Sequence, residues 1–220
     1  MKPIRVIDTD FNLVTEIDKY SSAMITRSWH GIGSMELRIN RHIQGASFLK
    51  KGRLLIVGSS LNKVYMILHR EIELNEEGKA SENWLIKGFA LKAITGQRII
   101  IPPVNQTHDS ISGDAETVFK HYVNNHIINP VDAGRKIDRV VNAANQNRGE
   151  EISWKARLTN LGEDLSSLSL TTGMGWNIAL DYHSKQFVFD VAEGRDLTIN
   201  QRENPPVVFS PHFETIRNLQ

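Results

Sequence analysis

The 220-residue chain is 40% hydrophobic, 23% charged and 7% aromatic, has no cysteine and carries a formal net charge of +1. That balance excludes a disordered chain and a coiled coil, and the missing thiols exclude disulfide scaffolds, thiolate zinc sites and cysteine nucleophiles together. Residues 1–110 carry 15 Lys and Arg against 11 Asp and Glu, and residues 111–220 carry 11 against 14, so no concentrated basic face points to nucleic acid as a partner.

Lys2, Arg5 and Asp8 occupy the stretch where a signal peptide needs an unbroken apolar run, and no later segment approaches ~18 apolar residues. The sequence therefore predicts a soluble chain with no export signal of its own and no membrane insertion. Short segments with a period of two follow, the pattern of half-buried strands. In Ser34–Asn40, Met35, Leu37 and Ile39 alternate with Glu36, Arg38 and Asn40, whereas the apolar run at 53–57 predicts a strand buried on both faces. Val64–Leu74 and 80–91 flank Asn75-Glu-Glu-Gly78 and predict a long antiparallel hairpin.

After Ile101-Pro-Pro103 the period changes. Ala115, Val118, Phe119, Tyr122 and Val123 recur at helical spacing, with Gly113 and Asp114 as a start and Asn129-Pro130 as a stop, which predicts a helix of about four turns. The same pattern puts Phe119 on the packed face and Lys120 in solvent. A second helix is predicted over 160–172, with the stripe Leu161, Leu165 and Leu168 and a stop at Gly173-Met-Gly175. Trp176, Ile178, Leu180 and Tyr182, then Phe187, Phe189 and Val191, predict a second hairpin, and the polar stretch 141–151 reads as a mobile loop. Punctuation places boundaries near 103 and 196, and the residues after 200 look like the start of a further β domain within a longer protein.

Candidate chemistry is sparse. Asp8, Asp10 and Asn12 have the first three ligand spacings of a calcium loop, but Leu13 replaces its glycine and Lys19 its bidentate glutamate, leaving a turn between strands. The eight histidines stand at 30, 42, 69, 108, 121, 126, 183 and 212. On a regular helix His121 and His126 lie roughly 140° apart, which prevents a shared ion. Gly31-Ile-Gly33-Ser34-Met35 is the nearest approach to a serine-hydrolase elbow and lacks its pattern, and His108-Asp109 imitates only part of a triad. The carboxylate pairs Glu76-Glu77, Glu150-Glu151 and Glu163-Asp164 read as solvated or as complements to a helix dipole. Trp29-His30 is the most conspicuous cluster, with Trp84 and Trp154 elsewhere; a buried tryptophan supporting strands is the reading favoured over an exposed stacking platform. No catalytic, cofactor-binding or metal-binding residue is assigned, and no cofactor is expected.

Six runs, WHGIGSMELRIN (29–40), KKGRLLIVG (50–58), HREIELNEEGK (69–79), GQRIIIPP (96–103), ETVFKHYVNNHIINP (116–130) and EGRDLTINQRENPPVVFSP (193–211), together resemble the siphophage and prophage tail proteins typified by one from phage ReqiPepy6. The resemblance spans nearly the whole chain. It implies a virion structural protein at the tail tip, similar to baseplate-hub proteins that form trimeric rings beneath the tail tube. The implied fold is α+β and mainly β: an antiparallel β-barrel-like domain over 1–103, a mixed α/β domain with two helices and a hairpin over 104–195, and an incomplete β domain over 196–220. Implied partners are further copies of the chain, as a trimer, and distal tail and tape-measure proteins. The protein would be made in the bacterial host cytoplasm and reside in the virion tail tip. No enzyme motif carries over. Two alternatives stand beside this reading: a cell-wall hydrolase, whose catalytic part would sit beyond residue 220, and a sugar-binding host-recognition module using Trp29 or Trp154.

Overall fold

A computed structural model of the chain describes residues 2–74 and 77–207. Seven strands, β1 (Ile4–Ile7), β2 (Leu13–Ile17), β3 (Ser22–Ile25), β4 (Ser34–Asn40), β5 (Leu54–Val57), β6 (Val64–Leu74) and β7 (Ala80–Ala90), form one antiparallel sheet in the order β2-β1-β5-β6-β7-β4-β3. Alternation builds it as expected: Met35, Leu37 and Ile39 are buried in β4 while Glu36 and Arg38 face water. β5 is buried at all four positions. Leu55 and Val57 enter the core on one face with Ile4, Val6, Tyr65 and Ile86, and Leu54 and Ile56 enter the core on the other. The β6–β7 hairpin forms, with Gly78 at φ 74°; positions 75 and 76 of its turn lie outside the described residues.

The barrel expectation is not met as stated. The ladder is linear, and among the described residues β2 and β3 pair only with β1 and β4 respectively. Both are open edges.

The rest of the chain covers the Leu54 and Ile56 face. β8 (Asp109–Asp114) pairs with β10 (Glu151–Ala156), and β11 (Gly175–Asp181) and β12 (Gln186–Ala192) form the expected hairpin, to which β9 (Val140–Asn142) adds in parallel. α1 (Ala115–Val123) starts at Asp114, whose carboxylate accepts from Thr117 N at 2.8 Å, and α2 (Leu161–Thr172) starts at Asn160, which accepts from Gly162 N at 3.0 Å. Gly173 ends α2 with φ 72°. Phe119, Tyr122, Leu165, Leu168, Trp176 and Phe189 pack with Ile7, Phe11, Leu54 and Ile56 of the sheet into one cluster.

Three local expectations need correction. The predicted four-turn helix is α-helical only to Val123 and then widens into a π turn over Asn124–Ile128. The stretch 141–151 is pinned rather than free: it begins in β9, ends in β10, and Ala143 N donates to Phe189 O at 2.9 Å. Lys120 is 6% exposed, not solvated. The expected β domain at 196–220 is described only to 207, and no strand lies between 196 and 207; the remainder lies outside the described residues.

Candidate functional site

The Trp29-His30 segment lies in the loop between β3 and β4 and stitches the sheet to the helical half. Trp29 Nε1 donates to Gly173 O at 3.0 Å, Trp176 Nε1 donates to His30 O at 2.6 Å, and the His30 ring meets Ser169 Oγ at 2.7 Å. Ser169 donates its own proton to the Met174 carbonyl, so its oxygen receives the His30 N–H and is not an activated nucleophile. A Cβ on Gly175 would fall 2.4 Å from the Trp29 ring, so only glycine lets the indole lie there. Beneath the loop, Lys92 is buried and donates to the carbonyls of Ser28, Trp29 and Gly31 at 2.9, 3.1 and 2.9 Å, with Trp176 facing its ammonium at 4.5 Å. Trp29 nevertheless stays 45% exposed, against the expectation of a buried tryptophan.

The π turn has a chemical consequence. In it residue i pairs with i+5, Asn129 N donating to Asn124 O at 2.7 Å, so positions five apart come to one side. His121 and His126 thereby converge, each donating from Nε2 to one oxygen of Asp109 at 2.8 Å. The regular-helix argument against convergence fails here, although what they share is a carboxylate. Burial alone would raise the Asp109 carboxyl, but the two histidine hydrogen bonds outweigh it and hold the group far below its ordinary value. Tyr122 donates to the Asp109 carbonyl at 2.9 Å, and burial pushes its own phenol up. No hydroxyl is hydrogen-bonded to either imidazole among the described residues, so the cluster ties β8 to the end of α1 rather than forming a triad. His108, its sequence neighbour, meets only Thr107 among the described residues, at 3.1 Å.

A second polar cluster sits under α1. Glu116, 0% exposed, accepts from Arg148 N at 3.0 Å, Arg148 Nε at 2.9 Å and Arg148 Nη2 at 3.0 Å, and from Lys120. Arg148 reaches on to Asp190 at 2.6 Å, and Lys120 Nζ donates to Ala144 O at 2.9 Å. Burial raises Glu116, but these donors outweigh it and bring the carboxyl from 4.5 down to about 2. Arg148 carries the signal that sequence reasoning missed: an arginine in a polar loop whose i, i+4 acid–base partners sit on the helix before it.

The other candidates are structural. Asp8 Oδ1 accepts from Asp10 N at 2.9 Å and Asn12 N at 2.8 Å, closing the β1–β2 turn, and the Asn12 hydrogen bonds hold its carboxyl below the ordinary value. Glu77 pairs with Lys79 at 2.8 Å, Asp164 accepts from Trp154 Nε1 at 2.9 Å, and Arg70 stacks over Trp84 at 4.3 Å. Glu76 lies outside the described residues, while Glu150 and Glu151 are exposed. Among the described residues no group of three or more His, Asp or Glu is arranged to hold a metal ion.

The edge strands carry exposed apolar side chains, Leu13 (56% exposed) in β2 and Met24 (69% exposed) in β3, beside backbone edges that pair with no further strand among the described residues.

Among solved structures, the 43 kDa tail protein of prophage MuSo2 from Shewanella oneidensis is similar at 13% identity over 86% of this chain and 52% of its own, with a TM-score of 0.49. The Escherichia coli c3393 protein, a component of the type VI secretion system with structural similarity to T4 bacteriophage tail proteins gp27 and gp5, is similar at 7% identity over 87% of this chain and 45% of its own, with a TM-score of 0.37. The chain thus spans about half the length of each. No curated protein matches it. The family model for the siphovirus ReqiPepy6 Gp37-like protein matches residues 3–220, and the chain belongs to that family.

Proposed function

We propose that the chain is a structural component of the tail tip, similar in role to a baseplate hub, and that it acts by assembling into a closed trimeric ring rather than by catalysis. The observation that carries this reading is the pair of open sheet edges with Leu13 and Met24 exposed on them, a surface that monomeric β proteins normally blunt. Neighbouring copies would close the sheet into the expected barrel, with 104–195 as the inserted unit and a further β domain beyond 196. Distal tail and tape-measure proteins are the partners above and below such a ring.

Antibody labelling of purified phage should mark the tail tip, and light scattering on the purified protein should give a closed ring. A protein that is monomeric at high concentration and absent from particles overturns the assembly reading. Incubation with host peptidoglycan should release no muropeptides; dose-dependent release abolished by one substitution in this chain would reinstate the hydrolase.

A further inference from the structure

Between the sheet and the β11–β12 hairpin lies a cavity of about 420 Å³, a volume within the usual range for small-molecule sites. Its wall is amphiphilic, with Trp29, Trp176, Ala90, Ala179 and Val188 set against polar side chains. Those polar groups are conspicuously unengaged. Among the described residues the side chains of Thr26, Arg27, Asn62, Tyr65 and Asn177 make no hydrogen bond or ion pair with the protein, although Tyr65 is only 1% exposed. The one buried side-chain oxygen without a partner among the described residues is Asn142 Oδ1, so the Tyr65 hydroxyl opens onto the cavity, where it and the amides are free to pair with a ligand.

The charge in the cavity is unbalanced. Arg27 and Lys92 both line it, and Lys92 is held by three neutral carbonyls rather than by a carboxylate. Asp190, the acid in the lining, is already committed to Arg148 and Lys120. Burial, and then the like charge of Arg27, bring the Lys92 ammonium from 10.5 down to about 8. The same guanidinium acts on Tyr65, opposing the rise that burial imposes on its phenol. Two cations thus share one recess with no free acid between them, and an anion entering it removes their repulsion.

We propose that this cavity binds an anionic sugar, a sugar acid or a sugar phosphate, with the anion on Arg27 and Tyr65, the ring against Trp29, and the ring hydroxyls on Thr26, Asn62 and Asn177. The half-exposed indole offers an apolar face of the kind that sugar C–H groups stack on, and the amides match hydroxyls. The assembly reading does not depend on this site and stands or falls separately.

The test titrates the intact chain with glucuronate, glucose 6-phosphate, glucose and inorganic phosphate, followed by tryptophan fluorescence and calorimetry. Saturable binding of at least one charged sugar is expected, at least tenfold tighter than glucose or inorganic phosphate and weakened by salt; the tighter of the two identifies the anion. Arg27→Gln should lose at least tenfold in affinity while melting at or above the parent temperature, because it breaks no contact and relieves Lys92. Asn62→Ala, also without a protein partner, should weaken the sugar severalfold and serves if the first variant is unstable. No saturable signal with either charged sugar, equal affinity for glucose, equal affinity for inorganic phosphate, or unchanged affinity in both variants overturns the proposal.

Discussion

Among the described residues the ion pairs within the seven-stranded sheet lie on its surface, whereas two carboxylates of the helical half, Glu116 and Asp109, are walled in with their partners. Arg5 meets Glu16 at 2.7 Å with both side chains at least 40% exposed, and Lys87 meets Glu71 at 3.0 Å in the same setting. Glu116, with no exposed side-chain surface, gathers Lys120 and Arg148. The reason is the backbone each region must hold. Strands satisfy their own polar groups and fix register by alternation, so the sheet interior needs only apolar contacts. The helical half must hold a π turn and the irregular stretch 143–150, and hydrophobic contact has no direction with which to place them. Hydrogen-bonded ion clusters do. The sheet therefore has pairing capacity left at its edges among the described residues, and the helical half has drawn Glu116 and Asp109 inward.

Removing one partner tests this contrast most severely. Glu116→Ala leaves the buried Lys120 and the part-buried Arg148 with only the half-exposed Asp190 between them and should cost about 3 kcal/mol in denaturant unfolding, whereas Arg5→Ala on the sheet should cost less than about 1 kcal/mol. Lys120→Asp, which sets a second carboxylate against Glu116, should be at least as damaging as Phe119→Asp. Equal small losses from Glu116→Ala and Arg5→Ala would erase the distinction.

The same contrast has a pH signature. Glu116 is depressed from 4.5 to about 2 in the folded protein, so its contribution is fully present above pH 4.5 and is lost as the pH falls toward 2. A shift of that size corresponds to roughly 3 kcal/mol. Asp109, also depressed, adds to the same acid limb. Stability measured between pH 5 and 2 should fall steeply in the parent and less steeply in Glu116→Gln; identical slopes would show that the carboxylate is not the acid-sensitive group.

Lys120 also shows what the sequence could and could not reveal. Period-two and helical stripes report apolar burial, and they located β4, β5, the β6–β7 and β11–β12 hairpins and both helices, because each of these buries a regular row of side chains. Charged residues are read as solvent-facing by default. Lys120 and Glu116 break that rule because, besides pairing with each other, they meet Asp190 and Arg148, which only the fold brings beside them. β8, β9 and β10 stayed hidden for a related reason: they are short and mixed in polarity, and β9 is fixed by a parallel neighbour 47 positions away, Val140 against Phe187. The π turn was illegible because nothing local in Asn124–Ile128 opposes a regular helix; the Asp109 carboxylate supplies the reason to widen. For the junction, Trp29-His30 stood out in the sequence, yet its partners Gly173, Gly175 and Ser169 could not be read from it.

That junction gives the next smaller effect. Gly175→Ala would drive a methyl into the Trp29 ring and should cost about 1–3 kcal/mol, the usual range for overpacking. Because the displaced indole also loses its bond to Gly173, its fluorescence should shift toward that of a solvated tryptophan. An unchanged spectrum with full stability would mean that the two regions are held together by the shared apolar cluster alone.

The smallest effect on folding should accompany the largest on assembly. Met24 lies on the open edge strand β3 with most of its side chain in water, so Met24→Lys removes little buried surface and should move the unfolding free energy by no more than about 0.5 kcal/mol. A lysine on an edge strand is also the device by which β proteins discourage strand addition. If neighbouring copies meet along this edge, the substitution should shift the light-scattering mass toward the monomer at concentrations where the parent is assembled, with an unchanged melting curve. The same substitution on the buried side, Ile39→Lys, supplies the contrast, since it should unfold the sheet and abolish assembly only as a consequence. An assembled Met24→Lys protein with the parent's mass would move the contact away from β3, leaving Leu13 and the β2 edge as the place to look.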